Sequence, residues 1–320
     1  MKLFRALHDV RGPVIGLAVV VGLFALVGPS AFLSVYNFKT VATQTVIVGL
    51  GAIGMTYVIV GGGIDLSIGS VIALASVVTA LVLRSGYDPV LAIFAGVAAG
   101  GAVGLVNGLL ITGLGIVPFI ATLGTLGIAR GVAKYLGDEQ KVDADPGWLA
   151  ELMTKAPDPE WLILSPGVWG LFLLAGVMGV VLRHTVLGVH TFAIGSNEAT
   201  ARLCGVPVAR VKVILYTLCG IFGGLAGVMQ FGRLTVGDPT SAMGKELDVI
   251  AAVVIGGGSL SGGEGRILGA IVGAFLMSTL ANGCNLTGVP NYVQEIVVGG
   301  IIVAAVAADR WRHGQGALAS

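Results

Sequence analysis

Charge is what this chain has least of. Asp, Glu, Lys and Arg make up 11% of its 320 residues, against about 25% in a soluble domain. With 55% hydrophobic residues and a mean hydropathy of +0.95, the chain is expected to lie in a bilayer, not around a soluble core. Its formal net charge of +1 gives no reason to invoke nucleic acid or acidic partners. Cysteine is scarce too: Cys204, Cys219 and Cys284 have no metal-like or redox-like spacing and read as structural. No collagen-like period or low-complexity tail is present. The phosphate-cradling pattern G-x-x-x-x-G-K-[ST] is missing, since Gly244-Lys245 is followed by Glu246. ATP binding by this chain itself is therefore excluded, although Leu260-Ser261-Gly262-Gly263-Glu264 looks like the signature loop of an ABC-type ATPase.

What is abundant is glycine, with 52 residues, which suits close helix–helix approach in lipid. Apolar runs fit crossings of a core about 30 Å thick. They are 14–27, 45–60, 71–83, 89–110, 116–136, 167–182, 211–231, the short 247–255, 267–280 and 293–307. This predicts an all-α integral membrane protein of about ten transmembrane helices in a single domain, 1–320. A retained first span is expected after Lys2, Arg5 and Arg11, because no cleavage site of small residues precedes a soluble domain.

Polar residues cluster unevenly. The loop 138–160 holds Asp138, Glu139, Asp143, Asp145, Glu151, Asp158 and Glu160 against Lys141 and Lys155. The segment 183–212 holds Arg183, Arg202, Arg210 and Lys212 against Glu198 alone. By the positive-inside rule the basic segment, the N-terminus and the Arg310–Arg312 tail face the cytoplasm, and the acidic loop faces outward. Trp161 and Trp169 then flank the outer interface and Trp311 the inner one. Arg130 and Lys134 are expected to snorkel.

Two stretches break the apolar pattern: Gly61-Gly62-Gly63-Ile64-Asp65-Leu66-Ser67-Ile68-Gly69-Ser70 and Gly256-Gly257-Gly258-Ser259-Leu260-Ser261-Gly262-Gly263. Irregular backbone at membrane depth is tolerated only where it is buried in protein or lines a water-filled cavity, and broken helices build solute paths in many transporters. The topology puts both breaks at or near the cytoplasmic side, as paired turns flanking a pathway. Asp65 reads as a cap for a helix starting near Ser67, or as a pathway group. Asn107, Asn282 and Asn285 suit interhelical hydrogen bonding or solute hydroxyls. Thr122 and Thr125 suit back-bonding to their own helix or the pore wall. Glu246 and Asp248 suit a helix N-terminus.

Two other patterns are decoys. Gly49-Leu50-Gly51-Ala52-Ile53-Gly54 satisfies G-x-G-x-x-G inside an apolar helix, without the strand a dinucleotide site needs. Gly28-Pro29-Ser30-Ala31 suggests an intramembrane serine protease, but His8, His184, His190 and His313 all fall in the basic segments, away from mid-membrane. Segment 195–207 is more informative. Ser196 or Asn197 can cap a helix, Glu198 suits its first turn, and Gly205 with Pro207 ends it. A two-turn helix is marginal alone and needs a partner or the membrane surface to hold it.

These blocks resemble the permease subunit of bacterial ABC importers for monosaccharides of the ribose/xylose/galactose type. The matching stretches are GGGIDLSIGS (61–70), VNGLLI with VPFIATLGT (106–125), GSNEATARLCG (195–205) and ELDVIAAVVIGGGSLSGGEGRILG (246–269). Asn282–Leu286 and Tyr292–Gly299 fit as well. The likeness runs from the second span to the C-terminus and is weakest in the acidic loop. It implies ATP-driven import of a monosaccharide or polyol across the bacterial inner membrane by alternating access, with both termini cytoplasmic. It implies no catalytic residue, metal or cofactor in this chain. The implied partners are a second permease subunit (identical or not), a cytosolic ABC ATPase, a periplasmic sugar-binding protein and membrane lipid. Asn197, Glu198, Ala199, Arg202 and Gly205 match the coupling motif that contacts the ATPase. Asp65, Ser67, Asn107, Thr122, Thr125, Asn282 and Asn285 are candidates for the pathway or its gate. The rival reading is an ion-coupled secondary transporter, which would place paired acids or histidines inside the spans; only Asp65 comes close.

Overall fold

The computed structural model describes residues 11–157 and 159–317. Lys2, Arg5, His8 and Asp158 lie outside the described residues, as do the side chains of Glu160, Arg310, Trp311, Arg312 and His313. In chain order come α1 (Arg11–Val27), α2 (Val35–Val60), α3 (Ile68–Arg84), α4 (Pro89–Gly113), α5 (Pro118–Leu136) and α6 (Pro166–His184). Then follow α7 (Val186–Ser196), α8 (Glu198–Leu203), α9 (Val208–Leu234), α10 (Lys245–Ile255), α11 (Ile267–Leu286) and α12 (Asn291–Ala317). Five of these helices, α2, α4, α6, α9 and α11, are long and apolar enough to cross a membrane. The other expected crossings correspond to α1, α3, α5, α10 and α12, and the protein is an all-α, multi-pass membrane protein.

Local sequence explains most helix ends. Ser34 caps α2 by accepting from the Asn37 amide at 3.1 Å, and Asp88 caps α4 by accepting from Val90 at 2.8 Å. Proline starts α4, α5 and α6, where its missing N–H costs nothing. Gly86, at φ +81°, ends α3. The helix α2 begins ten residues before the expected span at Thr45, because η-turn residues Ser30–Leu33 and the Ser34 cap start it early. The basic segment also holds more structure than expected, since α7 precedes the two-turn helix.

The helix α2 is the central post. Its apolar stretch is 94% buried, whereas that of α4 is 22% buried, so α2 is enclosed by this chain and α4 leaves most of its surface exposed. Around α2 pack α6, α9, α10 and α11.

The most extensive helix pairing is that of α4 with α9, and glycine makes it possible. Gly96, Gly100, Gly104 and Gly108 recur every fourth residue on one face of α4. A methyl at Gly100 would lie 2.7 Å from the Gly224 amide nitrogen and 2.8 Å from its Cα. One at Gly104 would lie 3.0 Å from the Cα atoms of Gly220 and Thr217. These neighbours are backbone and cannot rotate aside. Gly100→Leu is therefore expected to destabilise the bundle by about 1–3 kcal/mol or more, lowering the thermal midpoint in detergent. Gly170→Leu, where nothing lies within 4 Å, should leave that midpoint unchanged.

At the acidic end the loop 138–160 is folded onto the bundle. Val142–Asp143 pairs antiparallel with Val236–Gly237. Val142, Leu149 and Phe231 share a small core with Val77 and Ala80 of α3. The segment 235–244 therefore lies at the same end as the acidic loop. The bundle's other end carries α7 and α8, which lie within the basic segment 183–212.

Candidate functional site

Three constellations lie along the axis of the bundle, and the innermost joins segments remote in sequence. Both glycine breaks and the end of α7 meet there, backbone to backbone. The Gly263 amide donates to the Val60 carbonyl at 2.8 Å. A methyl at Gly262 would sit 2.7 Å from the Gly195 carbonyl oxygen and 2.9 Å from the Gly62 Cα, and one at Gly195 would collide with the Val60 carbonyl and the Gly263 amide. Gly62, Gly262 and Gly263 also hold φ values of +78°, +86° and +76°, a region that glycine enters without steric cost.

Directly after this junction comes α8. Asn197 caps it by accepting from the Thr200 amide at 2.9 Å. Gly205, at φ +84°, closes it: its amide donates to Arg202 at 3.1 Å and that of Val206 to Ala201 at 3.0 Å. Glu198 accepts from Lys212 at 2.6 Å and from Arg202 at 3.0 Å, tying α8 to the base of α9. Leu203 is 89% exposed at its end. Ala199 is exposed in its first turn.

The Lys212 hydrogen bond holds the Glu198 carboxyl below the usual carboxylate range, and Arg202 adds to it. Because the folded value is depressed, the stabilisation is present above the ordinary Glu value near ~4.3 and is lost as pH falls through the folded value. Amide protection of Thr200, corrected for intrinsic exchange, is thus expected to stay level from about pH 7 to 5 and to fall below about pH 4. Glu198→Gln should remove that acid step.

The second constellation lies deeper. A methyl at Gly51 would lie 3.7 Å from Ile68 Cγ1, and Gly51 precedes Gly61 by ten residues of helix, about 15 Å. The chain from Gly61 to Ser67 thus climbs back beside α2, lifting Asp65 away from the junction toward the middle of the bundle. Asp65 is 1% exposed. Its Oδ1 accepts from the Ser67 amide at 2.9 Å and the Ser67 hydroxyl at 2.6 Å, an Asx turn leading into α3, whose cap position Ser67 makes no side-chain capping bond itself. Asn107 Nδ2 donates to Ser67 Oγ at 2.9 Å. Thr125 donates to Asn107 Oδ1 at 2.6 Å. Thr122 donates to its own helix at Pro118 O, 2.9 Å away. Tyr216 of α9 closes the group by donating to Ile64 O at 3.3 Å. Thr122 is therefore back-bonded, while Thr125 is chiefly an interhelical donor.

Asn282 and Asn285 belong elsewhere. Asn285 accepts from Gln294 at 2.9 Å, at the turn into α12. Asn282 is buried on α11, and its Oδ1 has no partner among the described residues. Neither bonds to the Asp65 group.

The third constellation was hidden from sequence. Arg130 does not snorkel; it donates to the carbonyls of Pro239 and Ser241, both at 2.7 Å, and fixes the segment that leads into α10. Glu246, in the first turn of α10, packs against Gly69 in the first turn of α3. Two short helices thus meet at their N-terminal ends inside the bundle. A lone Arg in a span carries no signal naming a partner 109 residues away.

Comparison with known proteins agrees with this architecture. The profile of the family described as branched-chain amino acid transport system / permease component matches residues 37–306. The ribose import permease protein RbsC of Bacillus subtilis (strain 168) is 41% identical over 308 residues, covering 96% of this chain and 94% of that protein. Its counterpart in Escherichia coli (strain K12) is 38% identical, covering 92% of each chain. The D-allose transport system permease protein AlsC of Escherichia coli (strain K12) is 35% identical, covering 96% of this chain and 93% of that one. No solved structure matches the chain. With most of its length matched by the profile and its relatives aligned almost end to end, the chain belongs to the branched-chain amino acid transport system / permease component family.

Proposed function

We propose that this chain, the permease subunit of an ABC importer, carries a monosaccharide or related polyol across the bacterial inner membrane by alternating access. One observation carries the mechanism: the junction that seats both glycine breaks against the end of α7, immediately before α8. A displacement of α8 by an ATPase is transmitted there through backbone contacts with no flexible side chain between. Asn197, Glu198, Ala199, Arg202 and Gly205 form the ATPase-facing surface in this reading. Asp65, Ser67, Asn107, Thr122 and Thr125 form one polar unit above it that changes packing with the gate. Asn282 and Asn285 lie outside that unit, on α11.

The remaining assignments follow from charge. The basic end of the bundle faces the cytoplasm, with both termini, and the acidic loop faces the periplasm and a sugar-binding protein. A second permease subunit completes the pathway, and residues 1–320 form one permease domain. Ribose, allose and arabinose permeases all appear among the relatives, which supports a sugar cargo over the ion-coupled alternative.

The test is uptake into proteoliposomes holding the chain, its ATPase and a sugar-loaded binding protein. Uptake should require all three components and ATP. Uptake driven by a proton or sodium gradient without any ATPase would overturn the proposal.

A further inference from the structure

Between the second glycine break and the last turns of α6 lies a cavity of about 830 Å³. We propose that it holds one anionic phospholipid of the inner leaflet, with the phosphate at the rim and an acyl chain along α6. The wall is apolar, built from Ala175, Gly179, Val180 and Ile267. The rim carries Arg183, His184 and Arg266 against one acid, Glu264.

Position argues for a lipid over a soluble anion. The same helix that walls the cavity presents Leu173 and Val177 outward, at 68% and 50% exposure, so the cavity lies beside an exposed apolar face of α6. Arg183 has no hydrogen bond or ion pair among the described residues. Arg183 is exposed in the last turn of α6, and a guanidinium there can take phosphate oxygens with planar, directional geometry. The cavity also borders Gly263 and Gly256, so its occupant touches the junction that the transport cycle moves.

The experiment uses the full chain in nanodiscs of phosphatidylcholine doped with phosphatidylglycerol, followed by native mass spectrometry of the lipid retained. Wild type should keep one phosphatidylglycerol per chain. Arg183→Gln with Arg266→Gln should weaken retention by about tenfold or more. Gly179→Leu tests the wall separately and keeps every charge. A side chain there enters open space, since the nearest atom to its Cβ is Ile267 Cβ at 3.9 Å, and it should lower retention by a similar factor. Equal retention of both lipids, or unchanged retention in both variants, would overturn the proposal. So would displacement of the lipid by inorganic phosphate, which would make the site one for a soluble anion. Loss of ATPase co-purification in the charge variant with lipid retention intact would assign the rim to a protein partner and also overturn it.

Discussion

Gly195→Ala is expected to lower ATP-driven uptake about ten- to hundredfold while ATP hydrolysis continues. The new methyl would collide with the Val60 carbonyl and the Gly263 amide, which are themselves joined by a 2.8 Å hydrogen bond. Nothing there can rotate away, because both contacts are backbone. Overpacking costs about 1–3 kcal/mol, and a cost borne in only one of two transport states shifts their ratio by about that ten- to hundredfold factor. The exposed face of α8 is untouched, so the ATPase should still co-purify. Measuring uptake and hydrolysis in the same proteoliposomes separates the two effects. Uptake above half the wild-type rate would remove the junction from the mechanism. Gly170→Ala, with nothing within 4 Å, serves as the control.

Glu198→Lys and Gly205→Pro are expected to abolish ATPase association with membrane insertion intact. Lysine at 198 would bring a third cation to where Lys212 and Arg202 now share a carboxylate at 2.6 and 3.0 Å, replacing attraction by repulsion and freeing α8 from α9. Proline at 205 fails for a different reason. Its ring holds φ near −65°, whereas the chain needs +84°, and it removes the amide that donates to Arg202. Both changes spare the apolar spans, so membrane yield should match wild type. Co-purification of the ATPase with both variants at wild-type levels would count against α8 as the coupling element.

The parts of this protein that were legible in its sequence are local ones. The helix from Glu198 to Leu203, its Asn197 cap and its Gly205 stop were all readable, because capping involves residues at most five apart. Asp65 as the acceptor for Ser67 was readable for the same reason. The repeat Gly96, Gly100, Gly104, Gly108 was open to inspection as well, but small residues at four-residue spacing do not name the helix they face. Arg130 could be seen as a cation near a span's end. Whether it reaches for lipid headgroups or for the carbonyls of Pro239 and Ser241 depends on a segment far along the chain.

Hydropathy and charge by themselves therefore determined the membrane class, the approximate number of crossings and the sites of the two breaks. Transfer of apolar surface and the cost of charge in lipid depend on composition within a window of about 20 residues. Only the tertiary structure decided that the two breaks and α7 share one backbone junction, and that Asp65, Ser67, Asn107 and Thr125 form one network while Asn282 and Asn285 stand apart. Such contacts rest on helix packing, which places backbones within van der Waals distance across long separations in sequence, and no single window of sequence encodes that.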